Sequence, residues 1–319
     1  MTTSGRISVV YAGLLLLNLA AQSNGQEIFE PTGEKYEMTA RTVRVESTPE
    51  GRVTTFTGNV TIRHGTVVIT AESGRALEGR DMAILEWSVR IVDGGTEITA
   101  NTGEYYRNEK KAHLHGDVDI QDGKQSVQAD DVVYYRSDRV AQGTGSVSFK
   151  DMVNNITVEG GEGEYDFSAG HGKMSLSPVL TAPGEKQILM TGQTMEVFRK
   201  EGRALVSTDV TVYQGEWTAR CDSLVYLSQE EVADLIGNPT ITERENMGGA
   251  ERLRLKFDDR KLTEAILSPN GYAVYRVEDG EMNIVFGDEI VIRFEEGKAK
   301  RIGVRGSARG TYYMEPRGD

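Results

Sequence analysis

His113 and His115 stand two residues apart, so on a strand both rings point the same way. Two imidazoles make only half of a zinc site, and no third ligand stands at metal-binding spacing. Asp130-Asp131 and Asp258-Asp259 are acidic pairs of the kind that hold calcium in polysaccharide-cleaving β-stacks. Adjacent carboxylates diverge on a strand, however, and are solvated in a turn. Cys221 is the one cysteine, which excludes an internal disulfide. It shares a strand face with Ala219 and reads as a small core residue. Asn59-Val60-Thr61 and Asn155-Ile156-Thr157 match a glycosylation sequon that is frequent by chance. Tyr105-Tyr106, Tyr134-Tyr135 and Tyr312-Tyr313 read as strand pairs with one ring on each face. The chain has no nucleophile elbow, phosphate loop, zinc spacing or dinucleotide fingerprint. The sequence therefore offers no catalytic residue, no metal site and no cofactor.

The elements that would carry such residues repeat. Gly58-Asn59-Val60-Thr61-Ile62, Trp87-Ser88-Val89-Arg90-Ile91, Gly116-Asp117-Val118-Asp119-Ile120 and Gly145-Ser146-Val147-Ser148-Phe149 align at a step of 29 residues. Eleven residues beyond the first three valines stand Ala71-Glu72, Ala100-Asn101 and Ala129-Asp130. Looser echoes at Val179, Val210, Pro239, Tyr272 and Ala308 bring the total to about nine units, so each unit buries its apolar face against its neighbours. Within a unit, Val60/Ile62 and Val67/Ile69 alternate with polar residues, the period of a half-buried strand. Gly65, Gly79, Gly94-Gly95, Gly123 and Gly202 punctuate the strands as turns. Residues 228–235 carry a short capped-helix signal, but they fall where other units turn. The expected fold is all-β, an elongated antiparallel stack rather than a compact sandwich.

Residues 1–25 have the layout of a cleaved export signal: one basic residue, Arg6, then an apolar run over residues 7–21 and small residues after it. The rest divides into 26–160, where the repeat is tightest, and 161–319, where it drifts. The net charge is −13, which argues against nucleic acid as a partner.

The run Val53-Thr54-Thr55-Phe56-Thr57-Gly58-Asn59-Val60-Thr61-Ile62-Arg63-His64-Gly65-Thr66-Val67-Val68-Ile69-Thr70-Ala71-Glu72 closely resembles the first repeat of the periplasmic lipopolysaccharide transport protein A family, also called organic-solvent-tolerance-like (OstA-like). Arg44-Val45-Glu46-Ser47 resembles its opening strand, and Gly103-Glu104-Tyr105-Tyr106 through His115-Gly116-Asp117-Val118 its next unit. The resemblance is strongest over residues 36–150. It implies a V-shaped antiparallel β-jellyroll in the periplasm that holds lipopolysaccharide, or a related acylated lipid, by its acyl chains. It also implies end-to-end contact with other jellyroll proteins of a transport bridge, and head-to-tail self-association, by pairing of edge strands. The first edge is expected at residues 36–45 and the last at residues 308–314. The extra repeats leave open an amino-terminal jellyroll of an outer-membrane translocon, though no large carboxy-terminal barrel follows before Asp319. A structural or adhesive β-solenoid without a lipid also remains open.

The residues supply the wall such a role requires. The inward row is expected to be Val60, Ile62, Val67, Ile69, Val89, Ile91, Ile98, Val118, Ile120, Val127, Val147 and Phe149. An acyl chain slides along such a row because burial has no direction, at about 0.8 kcal/mol per buried CH₂. The acidic surface should repel a phosphorylated headgroup and leave it in water.

Overall fold

A computed structural model describes residues 7–11, 36–49, 51–184, 186–276, 282–296 and 298–313. The chain forms two compact units, residues 1–143 and 144–319. The strands are β1 (Ile7–Tyr11), β2 (Tyr36–Ala40), β3 (Thr42–Thr48), β4 (Gly51–His64), β5 (Val67–Leu77), β6 (Met82–Asp93), β7 (Thr96–Tyr106), β8 (Lys111–Asp122), β9 (Gln125–Tyr135) and β10 (Val140–Asp151), the last crossing the unit boundary. They continue as β11 (Ile156–Asp166), β12 (His171–Ser175), β13 (Val179–Ala182), β14 (Ile188–Thr191), β15 (Thr194–Phe198), β16 (Arg203–Gln214), β17 (Trp217–Leu227), β18 (Val232–Ile236) and β19 (Thr240–Glu243). The last are β20 (Asn246–Gly249), β21 (Arg252–Asp258), β22 (Lys261–Ser268), β23 (Gly271–Arg276), β24 (Met282–Gly287), β25 (Glu289–Glu295), β26 (Lys298–Arg305) and β27 (Arg309–Tyr313). Among the described residues no helix is long and apolar enough to cross a membrane. The capped-helix signal at residues 228–235 produces no helix: the segment is a turn, as in other units, followed by β18. Ala233 and Leu235 alternate into the core, and period two wins over the local capping pattern.

In the first unit β4 to β9 form an antiparallel meander, and each pair shifts register once near its middle. Thr57 faces Ser73 and Val60 faces Ala71, so β4 spends one residue more than β5 between them. This is a β-bulge, and it bends the strand. β6 and β8 carry the same extra residue, as the shifts Glu86/Val89 and His115/Val118 show. The repeated Gly-Asn-Val signature is this bend. Gly58 and Asn59 have φ of 79° and 51°, Trp87 and Ser88 66° and 53°, Gly116 and Asp117 75° and 48°. The alanine eleven residues on is the valine's cross-strand partner: Val60–Ala71, Val89–Ala100, Val118–Ala129. The polar residue after the alanine secures the next bend. Ser88 Oγ donates to Glu72 Oε1 at 3.4 Å, and Asn101 Nδ2 to Asp117 Oδ2 at 3.1 Å.

The bends fold each long strand into two halves that form facing wings. A flat meander would set Arg136, just past the end of β9, roughly 35 Å from Asp93 at the opposite end of β6. The Arg136 Nε–Asp93 Oδ2 distance is 2.7 Å, so the wing tips meet.

In the second unit the bends become breaks. β14 and β15 both pair with β16, and β18 and β19 both pair with β17. Pro178, Pro239 and Pro269 stand at or beside three of the breaks, where a residue without an N–H removes no ladder bond from a strand interior. The loosened period of the carboxy-terminal half reflects these breaks.

Candidate functional site

The interior of the first unit is built as cross-strand ladders. On one wing Ile62 faces Ile69, Ile69 faces Ile91, Ile91 faces Ile98, Ile98 faces Ile120 and Ile120 faces Val127. This is an unbroken apolar rail across six strands, about 24 Å at ~4.8 Å per strand. Val60, Val67, Val89 and Val118 flank it, and all ten of these residues are at most 7% exposed. Val147 and Phe149 lie in the second unit. Val147 is buried, while Phe149 is half-buried with its ring edge-on to Tyr165 at 5.4 Å.

The opposite wing carries a second ladder that the inward row omits. Phe56, Gly74, Leu85, Gly103, Leu114 and Val132 face one another in turn. Large and small side chains alternate along it, so the layer interdigitates. A Cβ on Gly103 would lie 2.9 Å from Leu114 Cδ2 and 3.9 Å from Val89 Cγ1, a residue beyond the bend. The second unit has its own rail: Met174, Met195, Val206, Leu224, Leu235, Leu253, Leu267 and Ile290, each at most 3% exposed. The signal for both rows was a continued alternation on the near side of each bend, at Thr54/Phe56 and Ala112/Leu114. It keeps the phase of the valines along β4, β6 and β8, whereas on β5, β7 and β9 the phase flips between the alanine and the next inward residue, Gly74, Gly103 or Val132.

The residues with chemical potential fall elsewhere. His115 Nδ1 lies 2.6 Å from Asp131 Oδ1 on an exposed face, and the His113 ring sits 5.2 Å from that of Tyr106. Asp130, Asp258 and Asp259 are exposed. Among the described residues no group of three metal-ligating side chains comes together. Cys221 faces Val210, the place that alanine holds in the first unit. Burial pushes its thiol up to about 11, so at neutral pH it is a small apolar residue. Cys221→Ala is therefore expected to move stability by less than about 1 kcal/mol. Iodoacetamide at pH 8 should modify the native chain only as fast as it unfolds, a rate that mass spectrometry of denaturant-pulsed samples reads.

Where the wing tips meet, the first unit is polar. Thr66 Oγ1 and Arg136 Nε both donate to Asp93, at 2.9 and 2.7 Å. Thr96, 2% exposed, donates to Asp122 Oδ2 at 2.8 Å, and Arg139 bonds both Thr96 and Asp122. Burial pushes the Asp93 carboxyl up, but the bonds from Arg136 and Thr66 outweigh it and hold it below its ordinary value. Beneath them lies buried Tyr134, whose phenol is raised by that burial.

Residues 97–261 match the family described as LptA/(LptD N-terminal domain) LPS transport protein. The chain belongs to this family. The match begins inside the span where the sequence resemblance is strongest and runs on into the second unit, as near-equivalent repeats allow. Among solved structures, the chain is similar to LptH of Pseudomonas aeruginosa, the LptA-homologous periplasmic component of its lipopolysaccharide transport device. The two share 15% identity over 54% of this chain and 82% of that one, with a TM-score of 0.17. No curated protein matches the chain in sequence. Membership rests on the family match, and the antiparallel β-jellyroll of bent strands agrees with it.

Proposed function

We propose that this protein carries lipopolysaccharide, or a related acylated lipid, by its acyl chains toward the outer membrane, as an exported periplasmic module rather than a catalyst. The observation that carries the reading is the unbroken rail from Ile62 to Val127. A wall of equivalent branched side chains holds methylene groups through burial and dispersion, which favour no single position along it. Membership of the family supports lipopolysaccharide as the cargo.

Partners would join at the ends of the ladder. β27 pairs with β24 and β26 with β25, and among the described residues neither has a partner on its other side. Such an edge accepts a strand of another jellyroll or of a second copy. At the amino-terminal end, β3 pairs only with β4 among the described residues, whereas Ile7–Tyr11 lies on the outer side of β2. The edge expected at residues 36–45 is thus half covered by a segment of the proposed leader, the rest of which lies outside the described residues. Removing that leader would open β2 as well.

The reading is tested by mass spectrometry of lipids extracted from the purified, folded protein. A phosphorylated, multiply acylated saccharide lipid is the expected species. Protein that carries no acylated lipid, and takes none up from detergent micelles, would leave the β-solenoid reading in its place.

A further inference from the structure

The mouth of the first unit carries charge that an apolar trough does not require. A hollow of about 440 Å³ lies there, with Lys110, Arg136, Ser137 and Arg139 from one wing facing Asp93 and Gly94-Gly95 from the other. Three cations line it against Asp93, with Asp122 bonded to Arg139 beside it, a local excess of one positive charge in a chain whose net charge is −13. We propose that this mouth recognises a phosphate-bearing headgroup, Arg136 and Arg139 exchanging Asp93 and Asp122 for phosphate oxygens as acyl chains part the wings. The inference rests on the lipid-carrying reading above and adds the selectivity of that site.

The two guanidinium groups decide what the opened mouth can hold. The rail residues are at most 7% exposed, so a chain reaches them from the side only if the wing tips separate. Separation breaks Arg136–Asp93 and Arg139–Asp122, contacts between residues 43 and 17 apart in sequence. Guanidinium groups stay charged at any pH the protein meets. Parted from their aspartates, they lose those carboxylate oxygens. A phosphate supplies others in the planar, two-pronged geometry that guanidinium favours. Exposed Lys110 adds a third positive charge beside them, which suits a dianion better than a single carboxylate. A neutral headgroup offers no such replacement, so the mouth opposes its loading. This departs from what the net charge alone implies, a headgroup repelled into water, because the local charge at the mouth is opposite to that of the whole chain.

The test is displacement of a fluorescent acyl dye from the full chain by a hexaacylated disaccharide bearing two phosphates, and by the same lipid with its phosphates removed. Wild type should favour the phosphorylated form by about tenfold or more, the scale of a single charge-assisted hydrogen bond. Arg136→Gln with Arg139→Gln should bring the two forms within about twofold, through loss of the phosphorylated one. Arg136→Lys with Arg139→Lys should fall between, since it keeps the charge without the fork. Asp93→Asn with Asp122→Asn should widen the preference. It is the deciding variant should the glutamine pair fail to melt cooperatively. Inorganic phosphate at millimolar concentration should not reduce the preference. A wild type that binds both lipids equally, a glutamine pair that keeps its preference, or an asparagine pair that does not widen it would overturn the headgroup site while leaving lipid carriage intact. Abolition of the preference by inorganic phosphate would replace the headgroup site with a free-anion site. Failure of wild type to bind either lipid would instead bring down lipid carriage itself.

Discussion

Ile69→Asp is expected to cost the first unit about 3–5 kcal/mol or more and to abolish acyl-lipid binding, because it places a carboxylate where nothing can solvate it. Ile69 is 3% exposed and sits in the rail between Ile62 and Ile91. Arg63→Asp, on the exposed face of β4, is the matched control and should change stability by less than about 0.5 kcal/mol. The discriminating variant is Ile69→Ala. It removes volume without adding charge, at a cost of about 2–4 kcal/mol. In a filled structural core that loss is permanent. In a lipid-carrying interior an acyl chain fills the cavity, and at a hundred times its dissociation constant should return about 2.7 kcal/mol. Urea unfolding followed through Trp87 in a Trp217→Phe background reads the first unit separately. If lipid stabilises neither Ile69→Ala nor Arg63→Asp, the rail is a core and the groove reading fails.

Much of this was legible in the sequence because the repeat is short and its apolar alternation regular. Val60, Val89 and Val118 mark inward positions directly, and Ala71, Ala100 and Ala129 mark the strands that face them. The wing that carries Phe56, Leu85 and Leu114 was not legible in the same way. The inward phase holds through the bends of β4, β6 and β8 but flips through those of β5, β7 and β9, from Ala71 to Gly74, Ala100 to Gly103 and Ala129 to Val132. A single period-two register cannot contain both. The second unit's rail was obscured for a related reason. Its strands break at Pro178, Pro239 and Pro269, and the rail's spacing stretches across the first and last of these, between Met174 and Met195 and between Leu267 and Ile290. The mouth was invisible because its partners are far apart in sequence. Arg136 and Asp93 lie 43 residues apart, and only the folding of one wing onto the other joins them. Nor does the net charge of −13 reveal a local excess of cations.

The bends supply the other large effect, and equivalent positions should respond with opposite sign. Gly116 has φ of 75°, and a Cβ there would lie 2.6 Å from Asn101 Nδ2. Gly116→Val combines left-handed strain on a β-branched residue with displacement of the amide that bonds Asp117. A loss of about 2–4 kcal/mol is expected, the sum of backbone strain and a forced side-chain shift. One repeat earlier the same place holds Trp87, at φ of 66° and 64% exposed. That indole buries little, so it recovers little of the left-handed penalty. Trp87→Gly should therefore stabilise the first unit by up to about 1 kcal/mol, the strain relieved less the entropy that glycine loses on folding. Circular dichroism melts of the two variants against wild type, with Trp217→Phe omitted so that neither indole is needed as the probe, would show the split. A Trp87→Gly variant that loses as much as Gly116→Val would mean that the ring, not the left-handed backbone, sets the energy of that bend. In that case the bends would not be interchangeable devices repeated every 29 residues.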